Sequence, residues 1–199
     1  MINIIKLNSS EPYKIFQNHY NNALKKNQAS IEAISVSSYC STNNEVDSRY
    51  VNLKYINDDQ WIFFTNYNSP KATQFKNSNK IAALIYWESI NVQIRIKAHI
   101  KKTDSKFSDS HFSSREYEKN ILAIASEQSK IMNSYDFILE KVKKVSNKNK
   151  IIKTRPVYWG GFSFKPYYFE FWEGNKSRIN KREQFKIIEE KWYKSYLEP

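Results

Sequence analysis

Arg178 and Arg182 stand four residues apart at the close of YWGGFSFKPYYFEFWEGNKSRINKR, residues 158 to 182. A guanidinium is a planar fork of N–H donors that matches a phosphate or a carboxylate, and the aromatic side chains upstream can wall a planar ring. The same residues also describe an aromatic core strand followed by surface arginines, and their types alone do not choose. All three glycines of the chain, Gly160, Gly161 and Gly174, fall in this stretch. A Gly-Gly pair argues against a plain strand, because it permits unusual backbone angles or the close approach of another backbone or a ligand.

Other cations sit at element ends. Lys71 falls in the first turn of a helix that Ser69 and Pro70 open, where the helix dipole favours an anion over a lysine. A phosphate docked at that helix start, on the Ser69 hydroxyl and Lys71, removes the conflict; a solvated lysine is the alternative. Arg49 and Lys54 flank the run RYVNLK. Their odd separation predicts opposite faces of an ideal strand.

Familiar nucleophile and metal sites are excluded. His19, His99 and His111 lie far apart with no metal-ligand spacing, and neither GxSxG nor HExxH occurs. A dinucleotide fingerprint or P-loop is ruled out, because only Gly160 and Gly161 lie near one another and no GK[ST] follows. Any enzyme built on this chain therefore relies on a bound cofactor. The formal net charge is +12, half of it within residues 49–102. That charge and 14 tyrosines admit a nucleic-acid binder, but no basic block or RNA-binding signature occurs, so nucleic acid is the weaker reading. No apolar run is long enough to span a membrane, the N-terminus lacks a signal-peptide pattern, and the lone Cys40 reads as a buried bystander. These features predict a soluble, cytoplasmic protein.

The elements that position these residues read as follows. Tyr13, Phe16, Tyr20 and Leu24 recur at helical spacing over 12–27. IEAISVSSYC alternates as a strand. RYVNLKYI, NDD and QWIFFTNY read as one β-hairpin. A short helix opens at Ser69, and KIAALIYWE and NVQIRIKAHIKK form two more strands. From about 107 to 147 the pattern is helical, with Tyr135, Ile138, Leu139, Val142 and Val145 on one face. SNKNKIIKTRP is a polar connector, and FSFKPYYFEFW, SRIN and REQFKIIEEKWYKSYL return to strand. The fold class is α+β, mainly β: a small antiparallel barrel flanked by helices.

Together these segments resemble the pyridoxine/pyridoxamine 5′-phosphate oxidases, FMN enzymes of the split β-barrel type, from about residue 31 to Pro199. FEFWEGNKSRINKR is similar to the family's C-terminal signature, and RPVYWGGF to the stretch before it. RYVNLK, FFTNYNSPKA, the strand carrying Gln93, and SEQS fall in the family's order. The resemblance implies one FMN-binding domain over 1–199, with an N-terminal helical segment (1–30) and a helical insertion (107–147). It implies a homodimer with two FMN sites at the interface, each drawing on both chains. Arg49, Lys54, Phe64, Thr65, Ser69, Lys71 and Gln93 would surround FMN; Gln128, Ser129, Trp172 and Arg182 would complete the site, partly from the partner. Lys54, His111, Arg115 and Lys119 would hold the phosphate of a B6 vitamer, and Arg178 and Asn180 would lie over its ring as the catalytic pair. The Gly-Gly pair would then be a turn that bends the chain into its last strands. The implied reaction moves hydride from the 4′ carbon of pyridoxamine or pyridoxine phosphate to the flavin, with oxygen reduced to hydrogen peroxide.

The chain departs from the family pattern at Pro70 (usually Arg), His111 (usually Tyr), Lys119 (usually Ser) and Asn180 (commonly His); Glu173 and Lys181 depart as well. Pro70 removes a cation from the FMN phosphate site, His111 and Lys119 keep groups able to donate to phosphate, and Asn180 cannot titrate near neutral pH. These changes leave open a second reading, an FMN-dependent oxidoreductase acting on another small ring substrate.

Overall fold

The computed structural model describes residues 1–148 and 152–199. Part of the polar connector, 149–151, lies outside the described residues. The order is β1 (Asn3–Leu7), α1 (Glu11–Lys25), β2 (Ala33–Cys40), β3 (Glu45–Asn52), β4 (Tyr55–Asp58), β5 (Gln60–Asn66), α2 (Pro70–Asn77), β6 (Lys80–Trp87), β7 (Val92–Lys102), α3 (Ser105–Ser114), α4 (Tyr117–Ala125), α5 (Tyr135–Lys148), β8 (Trp159–Glu173), β9 (Lys181–Ile188) and β10 (Lys191–Tyr196). The expected helical segment at 1–30 thus also carries β1, which pairs parallel with β4. The helical stretch expected at 107–147 is three helices.

The strands form one 10-stranded sheet in the order β1-β4-β5-β8-β7-β6-β2-β3, with β9 on β8 and β10 on β9. Every pairing other than β1 with β4 is antiparallel. The expected barrel is not observed in closed form: among the described residues no ladder joins β3 back to β1, so the sheet stays open. Strand β8 is the hub. Its first half lies between β5 and β7, and its second half between β7 and β9.

Alternation explains β6 and β7. Ile81, Ala83, Ile85 and Trp87 point inward from one and Val92, Ile94, Ile96, Ala98 and Ile100 from the other, with polar residues between them on β7. Helix α1 buries Tyr13, Phe16, Tyr20 and Ala23 in this core, where Phe16 packs on Trp61 with ring centroids 4.5 Å apart. A second, smaller cluster of Phe112, Ile121, Ile152 and Trp159 lies under the helices, with Val142 and Val145 of α5 against it. Tyr135 and Leu139 of the expected α5 face remain exposed. Cys40, expected to be buried, is half-buried.

Two local readings are corrected. RYVNLKYI and QWIFFTNY do not form one hairpin. The chain changes partners between adjacent residues: Leu53 N–H donates to Glu32 O and Lys54 N–H to Ile62 O, both at 2.8 Å. The part before the switch pairs with β2, and the part after it forms the β4–β5 hairpin. Asp58 makes that tight turn at φ 58°, a left-handed conformation that Asp tolerates better than most residues. SRIN is likewise no strand; it belongs to the β8–β9 connection, with Arg178 at φ 62°.

The glycine pair is no turn either. Gly160 and Gly161 lie inside β8, and neither has a positive φ. Their missing side chains make room for neighbours. A Cβ on Gly160 would lie 2.2 Å from the Tyr67 hydroxyl, and one on Gly161 would lie 2.6 Å from Thr103 Oγ1.

Candidate active site

The partner switch at Leu53–Lys54 opens a cleft of about 960 Å³ between the β3–β4 junction, the end of β5, the start of α2, α3–α4 and residues 126–129. It also undoes the prediction for Arg49 and Lys54. The break in the strand brings both into the same cleft instead of onto opposite faces.

Lys71 is the chemical anomaly of this cleft. Its residue is only 6% exposed, yet its Nζ meets only hydroxyls, Thr65 Oγ1 and Ser69 Oγ at 3.4 Å. Among the described residues no carboxylate pairs with it. Burial, and then the neighbouring charge of Arg49, lowers its pKa to about 8. Arg49 is held by Ser38 Oγ (2.6 Å), Gln74 Oε1 (3.1 Å) and the exposed Asp47 (3.4 Å). Ser69 occupies the N-cap position of α2, but its hydroxyl donates to Asn66 O at 2.7 Å and not to the first helical turn. A buried ammonium without a counter-ion is costly, and an anion at this helix start relieves it.

A second cationic group lines the same cleft. Lys54 reaches Glu32 at 3.7 Å, Lys119 pairs with Glu116 at 2.9 Å, and the Arg115 guanidinium lies over the Trp159 ring at 4.4 Å. His111 stacks on Phe64, with centroids 3.7 Å apart and planes 13° off parallel. Burial, helped by Arg115 and Lys54, depresses the His111 pKa to about 4, so the imidazole is neutral at neutral pH. Gln128 Oε1 accepts from Thr65 Oγ1 at 3.0 Å and from Asn66 N–H at 3.3 Å; Ser129 lines the cleft at φ 69°.

The remaining predicted residues lie elsewhere. Gln93, Trp172 and Arg182 form one row across β7, β8 and β9, each directly opposite the next. Arg182 is pinned by buried Glu170 (Nε 3.0 Å, Nη2 2.8 Å) and by Glu198 O (2.8 Å). Arg178 sits in the adjoining connection, and Asn180 Oδ1 accepts from Asn175 N–H at 3.0 Å. None of these five residues lines the cleft of its own chain.

Sequence reading missed Tyr55, Glu32 and the role of Trp159 as a wall of the cleft. Only Trp159 carried a signal, as the aromatic residue beside the glycine pair.

The structure superposes with a TM-score of 0.90 on PhzG from Burkholderia lata in complex with tetrahydrophenazine-1-carboxylic acid, at 20% identity over 96% of this chain and 93% of that one. It superposes at 0.77 on a pyridoxamine 5′-phosphate oxidase-related, FMN-binding protein from Nostoc punctiforme, at 12% identity over 96% of this chain and 100% of that one. These likenesses establish a shared fold. Residues 25–149 match the family model for pyridoxamine 5′-phosphate oxidase, and residues 159–199 match that for the pyridoxine 5′-phosphate oxidase C-terminal dimerisation region. A pyridoxine/pyridoxamine 5′-phosphate oxidase from Pelagibacter ubique is 36% identical over 97% of this chain and 94% of its own length. One from Hydrogenovibrio crunogenus is 33% identical over 96% and 89%. The chain belongs to the pyridoxine/pyridoxamine 5′-phosphate oxidase family. Among the described residues no helix is long and apolar enough to cross a membrane, and no cluster of potential metal ligands occurs.

Proposed function

We propose that this chain is an FMN-dependent oxidase that converts pyridoxamine or pyridoxine 5′-phosphate to pyridoxal 5′-phosphate, working as a homodimer. The observation that carries the reading is the uncompensated Lys71 ammonium beside Arg49, in one cleft with the second group of Lys54, His111, Arg115 and Lys119. Two cationic groups in one cleft suit two phosphate-bearing ligands.

Lys71, Arg49, Ser69 and Thr65 would hold the FMN phosphate, with Phe64, Lys54, Gln128 and Ser129 around the rest of the cofactor. When bound, FMN supplies the two-electron acceptor for the substrate's 4′ hydrogen and passes the electrons to oxygen, which yields hydrogen peroxide. Lys54, Arg115 and Lys119 hold the substrate phosphate by charge, and neutral His111 serves it as a hydrogen-bond donor. Gln93, Trp172 and Arg182 of a second copy would complete the flavin site, since in their own chain they do not line the cleft. Glu170 and the Glu198 carbonyl keep the Arg182 fork in a fixed orientation, so little entropy is lost when it meets a ligand. Arg178 and Asn180 would orient the substrate ring, Asn180 by hydrogen bonding alone.

The test is direct. Protein loaded with FMN should lose its visible flavin band on anaerobic addition of pyridoxamine 5′-phosphate, then regain it and form hydrogen peroxide when air is admitted. A protein that takes up no FMN, or whose band is unmoved by either phosphorylated vitamer, rejects the proposal.

A further inference from the structure

Tyr55 opens β4 just after the partner switch, and its hydroxyl lies 2.9 Å from Nδ1 of His111. Both residues line the cleft. The Tyr55 ring meets His111 edge-on at 5.3 Å and 85°, while Phe64 lies flat on the same imidazole. The imidazole is therefore held on its face and at one nitrogen. Among the described residues the Tyr55 hydroxyl has no other hydrogen-bond partner. A phenol is a stronger acid than a neutral imidazole N–H, and an imidazole nitrogen is a stronger base than a phenol oxygen, so the phenol donates and Nδ1 accepts. The hydrogen bond at one ring nitrogen decides which tautomer the other presents.

We propose that Tyr55 is a positioning residue that fixes the His111 proton on Nε2 and so makes this imidazole a one-way donor to the substrate phosphate. The proposal deepens the proposed function and rests on its assignment of His111 to that phosphate. It explains how the chain accommodates histidine at a position where the family resemblance gives tyrosine. A tyrosine there carries its own donor, whereas a neutral histidine donates or accepts according to its tautomer, and an acceptor facing a phosphate repels it.

The chain has 3 histidines, so imidazole ¹⁵N NMR of the FMN-loaded protein without substrate reads the tautomer directly once His111 is assigned by its absence from a His111→Tyr variant. The expected spectrum shows a protonated Nε2 and a bare Nδ1. Tyr55→Phe keeps the aromatic ring and should mix the tautomers. It should also raise KM for pyridoxamine 5′-phosphate about twofold or more, with kcat and FMN affinity unchanged, in proportion to the share of protein left in the acceptor tautomer. In a His111→Tyr background the same change should leave KM alone. A wild-type protein with the proton on Nδ1 overturns the proposal outright. A tautomer that shifts in Tyr55→Phe while KM stays constant also overturns it, and there the fault lies in the assignment of His111 to the phosphate.

Discussion

Replacing Lys71 by Met should make the FMN-free protein more stable and the FMN complex weaker. The two signs together separate an anion site from a structural lysine. The Lys71 ammonium is brought from its ordinary 10.5 to about 8 by burial and by Arg49, a fall that corresponds to about 3 kcal/mol against the folded state at neutral pH. Because the folded pKa lies below the unfolded one, the unfolded chain binds more protons between the two values. The FMN-free protein should therefore gain stability as pH rises through that window. Met keeps the apolar stem and removes the charge. The upper limit of about 3 kcal/mol is a rise in Tm of up to roughly 10 °C for a chain of this size, and the alkaline gain should vanish with it. FMN affinity should fall about 10- to 100-fold, the worth of one hydrogen bond to a charged group. Thermal unfolding of the FMN-free protein at several pH values and fluorescence titration with FMN measure the two effects. A variant that is less stable than wild type and binds FMN equally well would refute the reasoning, since Lys71 would then be a packing residue.

Three further outcomes are expected. Arg178→Ala should lower turnover of pyridoxamine 5′-phosphate far more than flavin content, as measured on one preparation by steady-state kinetics and absorbance; equal loss of both would mean its place is structural. Glu170 is buried, which pushes its carboxyl up, but Tyr168, Arg182 and Arg95 outweigh burial and hold it below the ordinary carboxylate range. Its contribution is thus present above the unfolded pKa and lost on acidification. Glu170→Gln should cost about 3 kcal/mol in denaturant unfolding near pH 7, and the cost should shrink in acid. Gly161→Ala would set a Cβ 2.6 Å from Thr103 Oγ1, whose hydroxyl also bonds Ser108 Oγ at 2.8 Å, so overpacking should cost about 1–3 kcal/mol in thermal unfolding.

What the sequence made legible follows from how local each signal is. Helix α1, strands β6 and β7, and the Ser-Pro start of α2 rest on periodicity and turn chemistry within a few residues, and they formed as expected. The misplacement of Lys71 against the helix dipole was readable in the same way. The division of RYVNLKYI between two partners was not, because its first half is claimed by β2 and Glu32, a partner distant in sequence, while only its second half pairs with the neighbouring run at Ile62. For that reason strand alternation set Arg49 and Lys54 on opposite faces, and only the family resemblance put them at one site; Tyr55 was missed by both. Strand β1 was overlooked because five residues carry little pattern and their pairing to β4 is long-range. The glycine pair marked a special position, but the turn and the backbone or ligand approach read from it are not what the structure holds: the space is taken by the side chains of Tyr67 and Thr103. The family resemblance supplied what residue chemistry could not: the expectation that Trp172 and Arg182 complete a flavin site together with a partner chain, which the proposed function extends to Gln93 because the three form one row.

The central claim is that the Lys71 end of the cleft holds the phosphate of FMN. A crystal structure of the protein grown with excess FMN tests it most directly. The account predicts phosphate density within hydrogen-bond reach of Lys71 and Arg49, with Trp172 of a second copy closing over the flavin; FMN bound elsewhere, or an empty cleft at saturating FMN, would contradict it.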